Sequence, residues 1–187
     1  MERNPEKANA ITSAINEANT NELVELLKEV DQKNPIISDS TSAALPYTVL
    51  HFIAFRGILE MFQTVSNTLT DLQPKSKSVR DNGITPLHYA AQQGHLPIVR
   101  FITDCIKDIN PTDAAGKTVL QYAAEEGQLN VVKFYVENLK KDNRDINPSS
   151  RGGETPLYVA AKKGYSEIIK FYVRVIKYQI VIANLYF

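Results

Sequence analysis

At 187 residues and 43% apolar content the chain can bury a sizeable core. Its 21 basic and 21 acidic residues cancel, which excludes an overall field drawing it onto nucleic acid or an anionic membrane. A lone cysteine, Cys105, excludes an intrachain disulfide and points away from an oxidising compartment.

Met1 to Asn9 is almost all polar, so no secretory apolar run is read there. Ala10 to Val30 ends in Glu22-Leu-Val-Glu-Leu-Leu, an amphipathic helix pattern. Tyr47-Thr-Val-Leu-His-Phe-Ile-Ala follows, with Gly57-Ile-Leu behind it, and Gln63 to Val79 reads as a helix end plus a long polar loop. Thr85-Pro-Leu-His-Tyr-Ala-Ala with Gly94-His-Leu returns as Thr118-Val-Leu-Gln-Tyr-Ala-Ala with Gly127-Gln-Leu, then as Thr155-Pro-Leu-Tyr-Val-Ala-Ala with Gly164-Tyr-Ser. Thr48, Thr85, Thr118 and Thr155 stand 37, 33 and 37 residues apart, and Gly57, Gly94, Gly127 and Gly164 repeat those intervals. The four-residue excess of the last interval lies between Lys140 and Arg144 and is expected to lengthen an outer loop.

Each unit reads physically as a helix pair. The threonine hydroxyl accepts from the N–H groups opening the first helix, and Pro86 and Pro156 follow where a missing N–H costs nothing. Leucine and two alanines at i, i+3 and i+4 point one stripe inward, and the glycine takes the left-handed conformation that ends a helix. In the second copy Ile53 and Phe55 are expected to crowd the small positions. Asp108-Ile-Asn-Pro and Asp145-Ile-Asn-Pro leave the second helix and enter turns at Asp113 to Gly116 and Ser150 to Gly153.

A period near 33 carrying T-P-L-H-x-A resembles the ankyrin repeat, clearly from Ser42 to Tyr178. The resemblance implies an all-α ankyrin-repeat solenoid of about five units, the first an N-terminal cap, with β-turn fingers projecting between units. The expected divisions of one domain spanning 1–187 are 1–41, 42–80, 81–112, 113–149 and 150–187. It implies non-catalytic protein binding, as an adaptor or scaffold, through the concave face and fingers; the alternative is a regulatory segment or truncated product of a larger enzyme or channel. Residues just before the turn glycines should line the groove: Phe55, Arg56, Gln92, Gln93, Glu125, Glu126, Lys162 and Lys163. Finger positions Tyr47, Asp81, Asn82, Ile84, Lys117, Arg151 and Glu154 extend it. His51 and His88 occupy the histidine position whose imidazole the family uses to hydrogen-bond across repeats. Asn110 and Asn147 occupy an asparagine that some ankyrin proteins have hydroxylated, although a turn-closing hydrogen bond is the preferred role.

Other motifs fail. Ala115-Gly-Lys-Thr118 would need Pro111 to be glycine to form a phosphate-binding loop, and the histidines lack a third metal ligand. Asn110-Pro-Thr and Asn147-Pro-Ser carry proline where a glycosylation acceptor forbids it. Lys75, Lys77 and Arg80 with Ser76 and Ser78 read as a solvated loop. No catalytic set, metal or cofactor is expected. A monomer in the cytoplasm is expected, with the nucleus as the alternative compartment. Ile176 to Phe187 is β-prone, too short to span a membrane, and lacks a polar capping repeat. Either the chain is part of a longer array or this tail folds back as an improvised cap; self-association through it is a further expectation. Charge is graded: Met1 to Ile37 holds four basic and seven acidic residues, Asn138 to Phe187 nine and four.

Overall fold

The computed structural model describes residues 5–28, 36–37, 47–67 and 83–186. Among these, ten helices form five successive pairs: α1 (Pro5–Asn16) with α2 (Thr20–Lys28), α3 (Val49–Arg56) with α4 (Leu59–Ser66), α5 (Pro86–Gln92) with α6 (Leu96–Cys105), α7 (Val119–Glu125) with α8 (Leu129–Lys141), and α9 (Pro156–Lys163) with α10 (Ser166–Tyr186). Two short strands, β1 (Ile36–Ile37) and β2 (Tyr47–Thr48), pair antiparallel with Ile36 opposite Thr48. The first helices α3, α5, α7 and α9 pack in that order and the second helices α4, α6, α8 and α10 do the same, so the pairs form an all-α repeat solenoid.

The leucine–alanine stripe explains the close first-helix layer. Leu50, Leu87 and Leu120 are wholly buried, as are Ala54, Ala91 and Ala124 beside them, and one apolar core runs from Ile11 to Tyr172. Alanine lets adjacent helix backbones approach, which gives many weak dispersion contacts per residue. Ile53 fits this layer fully buried, while Phe55 does not crowd it: its ring is exposed and meets Tyr89 edge-on at 6.2 Å.

Each helix pair turns in the same way. Gly57, Gly94, Gly127 and Gly164 have φ of 77, 78, 73 and 79°, and the N–H groups of Gly127 and Gln128 bond back to the carbonyls of Ala124 and Ala123. The first pair performs the same turn with a non-glycine residue, Ala18 at φ 54°, and begins at Pro5 rather than Ala10. Asn19 then opens α2 by accepting the Glu22 N–H on its side-chain oxygen at 3.2 Å.

Two expectations are corrected. The excess between Lys140 and Arg144 does not simply lengthen a loop: α8 has 13 residues against ten in α6, and Asn143 at φ 54° closes it, with Arg144 N–H on the Leu139 carbonyl at 2.8 Å. Arg144 then reaches back to Asp108 at 3.1 Å, an ion pair to the preceding repeat. The tail is helix rather than extended chain, because α10 continues to Tyr186. An established helix adds one hydrogen bond per residue fixed, whereas a β-branched residue opposes it by only about 0.7 kcal/mol or less. Nor does the tail fold back over the last pair, since Tyr158 and Val173 stay 52% and 55% exposed.

The second helices differ in one buried hydroxyl. Tyr172 donates to the Ile146 carbonyl at 3.0 Å, but the equivalent Tyr135, wholly buried, has no hydrogen-bond partner. Burial also pushes both phenols well above their ordinary pKa. Tyr135→Phe is therefore expected to raise stability by about 1 kcal/mol by removing a desolvated orphan, and Tyr172→Phe to lower it by about the same. Urea midpoints of the two variants moving in the same direction would contradict this contrast.

Candidate protein-binding face

The edge of the first-helix layer is held by side chains that tie each repeat to the next. Thr118 Oγ1 accepts the Gln121 N–H at 3.2 Å while Gln121 Oε1 accepts the Thr118 N–H at 2.9 Å, so two donors at the helix start are satisfied reciprocally. Gln121 Nε2 then donates to the Glu154 carbonyl of the next repeat at 2.5 Å. His51 does the same with an imidazole: Nδ1 accepts the Thr48 N–H at 3.3 Å and Nε2 faces the Ile84 carbonyl at 3.0 Å, which requires the Nε2–H tautomer. Asn110 and Asn147 complete the frame by accepting the N–H groups of Leu120 and Leu157, both at 3.0 Å, ten residues on.

His88 departs in one respect: its Nδ1 accepts the Thr85 N–H at 3.1 Å, but its enclosed Nε2 makes no close hydrogen bond, only weaker backbone contact with Lys117 and Pro111. Burial lowers its pKa from 6.5 to about 4, outweighing the raising influences of Asp113 and of the Lys117 and Pro111 backbone. The unfolded chain therefore binds a proton below about pH 6.5 that the native state refuses until about pH 4. Stability is full above pH 6.5 and falls by up to about 3 kcal/mol as the pH drops through that window. His88→Gln, which installs the cap that Gln121 already makes, is expected to remove this part of the acid sensitivity. Denaturant midpoints of both proteins followed from neutral pH to pH 4 test it, and parallel profiles would refute a neutral buried imidazole.

The finger before α7 is organised by Asp113. One carboxylate oxygen accepts the N–H groups of Ala115 and Lys117, both at 2.8 Å, and the other accepts the Tyr122 hydroxyl at 2.9 Å. The next finger is laid against it: the Arg151 N–H donates to the Ala115 carbonyl at 3.0 Å. Sequence reasoning named these turns but not Asp113 as their centre, although Asx geometry two residues before Ala115 was a legible signal.

The expected site residues separate on this frame. Phe55, Arg56, Gln93, Glu126, Lys163 and Arg151 are exposed, and Gln92, Glu125 and Glu154 are partly so. Arg56 is held by Asn16 Oδ1 at 3.0 Å, from the first repeat. Glu125 does not pair with Lys162 one repeat away, as an ion-pair ladder would require. It meets Lys117 of its own finger, whose ammonium lies 4.2 Å from the Tyr122 ring centre. In the next repeat the signs are exchanged: Glu154 on the finger meets Lys162 on the helix at 3.2 Å, and that contact raises the Lys162 pKa. Ile84 is corrected, being 5% exposed and therefore part of the stack rather than of any surface a partner touches. Asp81 and Asn82 lie outside the described residues, as do Lys75, Lys77 and Arg80; Tyr47 is placed in β2 by its backbone.

Among the described residues, no group of three or more His, Cys, Asp or Glu side chains is arranged to hold a metal ion, and no helix is long and apolar enough to cross a membrane. The arrangement offers repeated hydrogen-bonding frames with variable exposed positions. A family model described as ankyrin repeats (3 copies) matches residues 10–113 and 103–177. The chain belongs to the ankyrin-repeat family. Comparison with curated proteins gives no match. In this ankyrin array His51 and Gln121 perform the same cross-repeat bond, so the fourth position of the motif tolerates either side chain that can accept at one end and donate at the other. Ankyrin repeats are in general protein–protein interaction modules.

Proposed function

We propose that this chain is a non-catalytic adaptor or scaffold that binds a protein partner along the edge formed by the ends of α3, α5, α7 and α9 and the adjoining fingers. The observation that supports the reading is the succession Phe55, Gln93, Glu126 and Lys163. These are exposed residues of unrelated chemistry carried at one edge of a frame whose caps, turns and core residues repeat. Positions released from packing are free to specify a partner. Glu126 and Lys163 make no ion pair among the described residues, whereas Glu125 and Lys162 are engaged by Lys117 and Glu154. The former pair therefore offers its charge to a partner without first breaking an intramolecular contact.

The test is quantitative capture from cells with three baits: wild type, Glu126→Lys with Lys163→Glu, and Lys133→Glu on the exposed side of α8. All three are expected to melt alike, since exposed charges contribute about 0–1 kcal/mol. The double variant is expected to lose partners that wild type and Lys133→Glu both retain, and the retained binding is expected to weaken with salt. Loss with Lys133→Glu and retention by the double variant would place the binding surface on the second-helix layer instead.

A further inference from the structure

The edge formed by the ends of the first helices carries its chemistry in a fixed order. Gln93 and Glu126 are exposed at the ends of α5 and α7 although a further helix pair stacks beyond each of them. The edge therefore runs along the flank of the stack, and exposure on it does not depend on where the array stops. Its first step is aromatic: the Phe55 ring, 42% exposed, stands edge-on to Tyr89 at 6.2 Å. Arg56 beside it is drawn towards the first pair, where Asn16 Oδ1 accepts its guanidinium at 3.0 Å. The second step is the neutral amide of Gln93, the third the carboxylate of Glu126 and the fourth the ammonium of Lys163. The charged neighbours of the last two, Glu125 and Lys162, are taken up by Lys117 and Glu154. Each step thus presents one dominant character: apolar, neutral polar, negative and positive in turn.

Spacing selects the backbone of a ligand. The first helices α3, α5, α7 and α9 are consecutive neighbours. Packed helices lie about 8–10 Å apart, so consecutive steps are separated by roughly that distance. A helical ligand would need about six residues per step at 1.5 Å each, and six residues turn a helix by about 600°, which carries the next side chain off the contact face. A β-strand covers a step in about three residues, but its side chains alternate, so successive determinants point to opposite sides. Polyproline II rises about 3.1 Å per residue with three residues per turn, so every third side chain returns to the same face after about 9.3 Å. We propose that this edge binds an extended polyproline II segment of a partner protein, with an apolar, a polar, a basic and an acidic side chain at successive third positions. These face Phe55, Gln93, Glu126 and Lys163 in that order. Proline suits the positions between them, because its ring presets the backbone angle this conformation needs. The inference rests on the edge being the binding surface, and adds the conformation, spacing and charge order of what lies on it.

The experiment uses the full chain as bait for a phage-displayed library of random peptides of about 12 residues, long enough for roughly 37 Å of polyproline II. Wild type is expected to enrich peptides with a base and an acid three residues apart, and an apolar residue six positions from the base on its other side. Glu126→Lys with Lys163→Glu is expected to enrich the same spacing with the two charges exchanged, and Phe55→Ser to keep the charges but lose the apolar preference. A synthetic peptide of the wild-type consensus is expected to bind the double variant at least about tenfold more weakly by fluorescence anisotropy, and the charge-exchanged peptide to restore binding. One residue inserted between the base and the acid should weaken binding to wild type. Unchanged melting temperatures show that the variants remain folded, and the wild-type consensus and its spacing require no variant. No enrichment, enrichment at helical spacing, or a consensus indifferent to the charge exchange would overturn the proposal. If the double variant still loses its cellular partners in that case, the edge remains the binding surface and its ligand is a folded face. Enriched peptides that bind the double variant as tightly as wild type but fail to bind Lys133→Glu would overturn both readings.

Discussion

Gly127→Val is expected to destabilise the protein by about 2–6 kcal/mol, and Gly164→Val by only about 1–3 kcal/mol, although both residues end a first helix in the same way. The shared part is backbone strain: φ is 73° at Gly127 and 79° at Gly164, a region in which a β-branched residue meets its own carbonyl. The difference is crowding. A Cβ at Gly127 would stand 2.7 Å from the Tyr165 ring, which packs against the core, while Gly164 opens onto free space. Displacing Tyr165 also loosens the contact between consecutive repeats, and in a solenoid that contact carries much of the stability. Denaturant midpoints of the two variants measure the gap directly. Equal losses would mean that strain alone requires glycine and that the Tyr165 contact is energetically empty.

Leu120→Ala, in the interior, is expected to lose about 2–5 kcal/mol through lost transfer energy and an unfilled cavity. The equivalent Leu157→Ala should lose clearly less. Leu120 lies wholly buried between α5 and α9, whereas Leu157 is only partly covered because, among the described residues, no helix stacks beyond α9. Lys141→Ala, exposed at the end of α8, is expected to be nearly neutral. Thermal melts of the three variants rank these environments, and Leu157→Ala matching Leu120→Ala would contradict the difference in cover between the two leucines.

Much of the frame was legible because each repeated residue performs a local task. A threonine before Val119 or Pro156 caps a helix whatever surrounds it, and a glycine at 127 or 164 permits a left-handed residue that others resist. Where a different residue performs the task, the pattern hid it: Ala18 and Asn143 take positive φ without being glycine, held by the hydrogen bonds of the turn itself. The extended reading of the tail failed because local β preference is weaker than growth from a helix already formed. In the candidate site, exposure of Gln93, Glu126 and Lys163 followed from their place outside the buried stripe, while the burial of Ile84 did not. Its carbonyl is drawn under His51 by a bond 33 residues distant, which no local pattern contains.

The sequence by itself determined the period, the helix pairs, their caps and turns, and the inward stripe, since these arise from interactions within a few residues. Tertiary structure alone decided which charges are already engaged: Lys117 meets Glu125 once the finger has folded against α7 of its own repeat, and Arg144 meets Asp108, 36 residues away, only once the repeats have stacked. It also decided that Gln121 is buried and Tyr158 exposed at one and the same motif position. Burial at that position depends on the helix lying beyond it, and beyond α9 the described structure places none.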